Sequence, residues 1–175
     1  MRKIALAATT FLLLFGAPSV AQMHGDMAHD HMMTHDHMAM APDERTPLDF
    51  PPMARAHLIG NMRSHFLALQ AILSALSKGD GPEAAKIARD KLGLESPNAA
   101  ACMRPKEGMS DMAAMMAHHM PEEMRALGLA MHESASAFAD VAEKASPGAD
   151  LKPALAALAQ VTQNCAACHA AYKLQ

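Results

Sequence analysis

The sequence predicts an all-α protein, folded as an antiparallel four-helix bundle, on three observations. Apolar residues recur every three or four positions beyond Pro51, no segment alternates convincingly as a strand, and Gly/Pro clusters divide the helical stretches. The first helix carries a stripe of Arg55, Leu58/Ile59, Met62, Phe66, Leu69, Leu73 and Leu76, with His65 at its edge and His57 toward solvent. Lys78-Gly79-Asp80-Gly81 ends it. Pro82 then fits the first turn of a short helix carried by Glu83 to Leu92, up to Gly93. Leu94 to Gly108 is irregular. A third helical region, Ser110 to Ala145 and divisible at Pro121, presents Met124, Leu127, Met131, Phe138 and Val141. Ser146-Pro147-Gly148 separates it from a last helix running from about Asp150, its N-cap, to Lys173. The apolar face of that helix holds Leu151, Leu155, Leu158, Val161, Cys165, Cys168 and Tyr172. Four helices with short connections make a bundle the economical solution, and bundles hold cofactors between facing helices.

Three segments differ in composition. Residues 1–21 read as a secretory signal peptide: Arg2 and Lys3, the apolar run Ile4 to Gly16, then small residues at Ser19-Val20-Ala21. That run is too short to span a bilayer, so no stable membrane insertion is expected after cleavage. Residues 22–50 read as a Met/His-rich tail and Pro-rich linker without the apolar residues of a core, and 51–175 as the folded domain. Loss of Arg2 and Lys3 with the leader leaves 13 basic against 18 acidic residues. No basic block points to nucleic acid and no basic amphipathic helix to lipid.

The most specific motif is Cys165-Ala166-Ala167-Cys168-His169, the attachment signature of a c-type haem. Two thiols three residues apart can add to the two vinyl groups of one porphyrin, and the adjoining imidazole then serves as proximal iron ligand. A shuffled chain of this composition would hold the pattern only about 0.003 times. A zinc half-site lacks further cysteines, because only Cys102 remains, and a thioredoxin-like pair lacks its βαβ setting. Cys102 reads as a small, partly buried thiol. In bacteria this covalent attachment follows export, so the leader and the motif together predict a periplasmic protein.

A haem motif closing the last helix of such a domain resembles the class II c-type cytochromes, the cytochrome c-prime family and its low-spin relatives. Cys165, Cys168, His169, Tyr172 and Lys173 match the family's ending, with Lys where Arg is more usual, and the likeness covers roughly residues 51–175. The resemblance implies one covalent haem c, His169 as proximal ligand, and a distal position opposite the first helix. Three alternatives stand for that position. Met62 would give a low-spin electron carrier with a raised potential. An apolar cap would leave five-coordinate iron open to NO or CO. His57 or His65 would complete the set. No nucleophile–base constellation is present, so the expected role is one-electron transfer to periplasmic redox partners rather than catalysis. The family often dimerises through its early helices; nothing in the chain selects dimer over monomer.

The tail has its own chemistry. Met23 to Met40 holds six Met and five His among eighteen residues, with a short repeat in Asp30-His31-Met32 and Asp36-His37-Met38. Thioethers suit Cu(I) and imidazoles suit Cu(II), which makes His24, His29, His31, His35, His37, Met32, Met33 and Met38 candidate copper ligands. Cleavage after Ala21 would also place His24 third, where a terminal amine, two amides and an imidazole give square-planar coordination of Cu(II) or Ni(II). The tail thus supports an alternative reading, a copper-binding or copper-tolerance protein with haem as redox partner. A second cluster, Met109, Met112, Met115, Met116, His118, His119 and Met120, reads as core or haem-pocket packing with a surface histidine pair, with copper binding as the alternative.

Overall fold

The computed structural model describes residues 42–104 and 106–175. Residues 1–21, read above as a signal peptide, and the tail residues His24, His29, His31, His35, His37, Met32, Met33 and Met38 lie outside the described residues.

The elements follow the punctuation of the sequence. Helix α1, Pro52–Ser77, starts with proline in its first turn, where a missing N–H costs nothing. It ends at Gly79, whose φ of 72° is the left-handed conformation that glycine adopts most readily. There the N–H of Asp80 donates to the Ala75 carbonyl at 3.0 Å and that of Gly79 to Leu76 at 2.9 Å, satisfying the last turn. Helix α2, Gly81–Lys91, is capped by Asp80, whose Oδ1 accepts from the Glu83 N–H at 3.0 Å. A 3-10 helix, Pro97–Cys102, occupies the irregular section. The third helical region is two helices, α3 over Asp111–His119 and α4 over Glu122–Ala142, separated at Pro121. Ser110 caps α3 through the Ala113 N–H. Helix α5, Lys152–Ala171, begins beside Asp150, whose Oδ1 accepts from the Lys152 N–H at 3.0 Å, although Leu151 occupies the cap position itself.

The described residues are therefore predominantly helical, as the periodicity requires. The expectation of no strand is corrected at two short places. Strand β1, Thr46–Leu48, pairs in parallel with β2, Tyr172–Leu174, in the register Thr46 to Tyr172, Pro47 to Lys173 and Leu48 to Leu174. The last helix consequently stops at Ala171, short of Lys173, because the next three residues are drawn into an extended pairing. This pairing also places residues 46–48, within the stretch read as linker, in the same compact unit as the helices.

Packing divides into two clusters. In the principal one, α4 lies against both α2 and α5, and α1 against α2. Alanines make the close approaches: Ala84, Ala85 and Ala88 of α2 and Ala135, Ala139 and Ala142 of α4 are completely buried. Phe138 and Ile72 supply bulk, each worth roughly 2–3 kcal/mol of burial. Asn164 of α5 donates to the Ser134 hydroxyl at 2.8 Å and to the Ala130 carbonyl at 3.2 Å, pinning α5 to α4 one residue before Cys165. The second cluster gathers Leu48, Phe50, Ala54, Leu58, Met116, Met120 and Met124 at the other end.

The buried face of α1 is rotated from the expected stripe. It comprises Ala54, Leu58, His65, Ala68, Ile72, Ala75 and Leu76. Phe66 is 72 % exposed and Leu73 50 %, whereas His65, expected at the edge, is only 8 % exposed. Small residues let α1 approach its neighbours closely, and the larger side chains between them face outward. Leu155 of α5 is similarly exposed, with Ala154 buried in its place.

Candidate functional site

The second cluster borders two adjoining cavities. The outer one, of about 280 Å³, is lined by Leu58 and Met62 of α1, Met124 of α4, Cys168 and His169 of α5, Tyr172 and Leu174 of β2, and Arg45 beside β1. Three of the four residues expected to hold haem therefore meet at one cavity: Cys168, His169 and Met62. The fourth, Cys165, lies one helical turn earlier, half-buried against the principal cluster rather than in the cavity lining. Positions three apart on a helix are surface neighbours, so the two sulfurs stay within a short span. Burial raises both thiols above the ordinary range. His169 is exposed and lines the outer cavity. His57 is exposed and lines neither cavity.

The rim is cationic. Arg45 holds Asp43 in a two-pronged contact, Nε to Oδ1 at 2.9 Å and Nη2 to Oδ2 at 2.8 Å, while its Nη1 donates to the His169 carbonyl at 3.3 Å. Lys173 Nζ donates to the Asp43 carbonyl at 2.8 Å and lies 3.5 Å from its carboxylate. The Arg45 hydrogen bonds hold the Asp43 carboxyl well below the usual carboxylate range. The bonds from Arg45 to the His169 carbonyl and from Lys173 to Asp43 join residues 124 and 130 positions apart and flank the β1–β2 pairing.

The inner cavity, of about 70 Å³, shares Leu58, Met62, Met124 and Cys168 with the outer one and extends to His65, Asn98, Cys102, Met116, Met120 and His132. His132, 1 % exposed, donates from Nδ1 to the Leu92 carbonyl at 2.6 Å; a carbonyl only accepts, so Nδ1 carries the proton. Its ring meets His65 edge-on, 5.9 Å between centroids. The sequence reading passed over His132, although its place beside Met131 on the α4 stripe signalled burial. Of the second Met/His cluster, Met116 and Met120 are buried at this cavity, His118 is exposed, and His119 is half-buried and tilted against Phe50.

The histidine pair makes stability pH-dependent. Burial, with His132 adding to it, pushes His65 from 6.5 down to about 4, and burial also lowers His132. Unfolded imidazoles take up protons below about pH 6.5, whereas folded His65 stays neutral until about 4. The unfolded state therefore binds more protons in that window. Stability is complete above it and falls with pH through it, by about 3 kcal/mol from His65 alone. Urea midpoints at pH 7 and pH 4.5 measure this; a His65→Gln variant losing just as much between them would remove His65 from the account.

Among the described residues no three His, Cys, Asp or Glu side chains converge as a metal cluster, and no helix is long and apolar enough to cross a membrane. The donors that meet at the outer cavity are instead one imidazole, His169, one thiol, Cys168, and two thioethers, Met62 and Met124. No protein-family profile, curated protein or solved structure matches the chain.

Proposed function

We propose that this is an exported monohaem c-type cytochrome of the class II kind, with α1, α2, α4 and α5 as its four-helix bundle, and that it transfers single electrons. The observation that carries the reading is the meeting of Cys168 and His169 of α5 with Leu58 and Met62 of α1 at one largely apolar cavity. Bound there, haem would supply an Fe(III)/Fe(II) couple. Cys165 and Cys168 would hold it as thioethers, and His169 would bind iron on the α5 side. Met62 is favoured as distal ligand over His57, which is exposed, and over His65, which lines only the inner cavity. Leu58, Met124 and Leu174 would exclude water from the group, which would favour the less charged ferrous state. Arg45 and Lys173 put two cations at the rim, where porphyrin carboxylates would meet them. The Met/His composition of residues 22–40 adds copper binding by the tail to the proposal.

The ferrous optical spectrum, with and without CO, tests the distal assignment. The expected spectrum is low-spin and unmoved by CO, and Met62→Ala should become high-spin and bind CO. A wild-type protein that is high-spin and binds CO would instead be the five-coordinate, gas-binding alternative, with Met62 reduced to packing. Met62→Ala retaining a low-spin, CO-insensitive spectrum would move the ligand elsewhere, to His65 first.

A further inference from the structure

The inner cavity is walled by sulfur. Met62, Met116, Met120, Met124 and Met131 supply thioethers and Cys102 and Cys168 thiols, His65 and His132 add imidazoles, and no Asp, Glu, Lys or Arg lines it. Methionine is the usual filler of irregular core gaps. Here five of them border one cavity beside the Cys102 thiol. The convergence is also built from distant pieces. Met116, Met120 and Met124 fall at four-residue intervals across the Pro121 break, on α3, at its C-terminal end and on α4. Cys102 comes from the 3-10 helix and reaches α4 at Gly128, where a Cβ would sit 2.5 Å from its Sγ.

We propose that this inner cavity is a Cu(I) site, with the Cys102 sulfur and the thioethers of Met116, Met120 and Met124 as ligands. The donor set selects the ion: thiolate and thioether sulfur are soft and suit a monovalent d10 cation, while hard cations favour carboxylates, and none lines this cavity. Charge points the same way. On binding, the S–H bond of Cys102 breaks, its proton leaves to solvent and a Cu–S bond forms, with no change of oxidation state. One thiolate and one monovalent ion cancel, whereas Zn(II) or Cu(II) would leave a net charge in an apolar enclosure. The site is separate from the proposed tail ligands; it adjoins the proposed haem cavity and shares Met62, Met124 and Cys168 with it, while Cys102, Met116 and Met120 belong to it alone.

The test is an anaerobic Cu(I) titration of the full-length secreted protein against a chromophoric Cu(I) chelator. Wild type, Cys102→Ala, the Met116→Leu/Met120→Leu pair and Gly128→Ala are compared, all keeping the same tail. Cys102→Ala should bind one Cu(I) fewer than wild type. The Met→Leu pair, close to volume-neutral, should weaken that same equivalent at least tenfold with helix content unchanged by circular dichroism. Gly128→Ala should weaken it by displacing the sulfur, and serves if Cys102→Ala fails to fold. Identical stoichiometry and affinity across the set would overturn the proposal, as would an equal preference of the Cys102-dependent equivalent for Zn(II). Haem absorbance read in the same samples keeps the two assignments apart: protein without haem would still report its copper count.

Discussion

Changing Cys165 and Cys168 together to alanine is expected to abolish covalent haem completely. Wild-type protein should keep its haem through denaturing electrophoresis and acidified solvent extraction; the double variant should release all of it. The substitution spares the residues that seat α5, because Ala154, Leu158 and Val161 are its buried contacts and Asn164 its polar tie to α4. Circular dichroism should therefore show the helices retained, which separates loss of attachment from loss of fold. Haem that stays on the double variant would refute the motif assignment, whatever the spectrum of the wild type.

The largest effect on stability is expected from Gly81→Ala. Gly81 opens α2 against the end of α4, and a Cβ there would collide with the carbonyl oxygens of Ala142 and Ala145. Those are backbone atoms, so the clash cannot be relieved by a rotamer change and must push the two helices apart. A loss of about 3 kcal/mol follows, lowering Tm by roughly 10 °C. Gly60→Ala is the internal control. It lies within α1 with nothing near the added methyl, so replacing a helical glycine should stabilise by about 0.5–1 kcal/mol. Thermal melts of both variants check the pair; Gly81→Ala melting with the wild type would contradict the α2–α4 packing.

The two experiments probe parts of the molecule that were unequally legible. Helix boundaries were readable because their causes are local. Gly79 ends α1 through its own φ, Asp80 and Ser110 cap through bonds three residues on, and Pro121 breaks the third region between α3 and α4. The face of α1 was not readable in the same way. Hydropathy ranks Phe66 and Leu73 above His65 and Ala68, yet burial went to the small residues and the imidazole. Which side of a helix is buried depends on how closely its neighbours approach, and alanines on α2 and α4 set that distance.

The candidate site divides along the same line. By itself the sequence determined the Cys165, Cys168 and His169 constellation, the helical class and the order of the elements, since each rests on residues within one or two turns of each other. Tertiary structure alone decided that Met62 lines the cavity that Cys168 and His169 line, that β1 carries Arg45 to the His169 carbonyl, and that Cys102 and His132 border a second cavity full of methionine sulfur. Those neighbours are brought together by helix packing and by one short parallel pairing between residues more than a hundred positions apart. Local periodicity carries no record of such pairings, because they are selected by the free energy of burying two distant surfaces against each other.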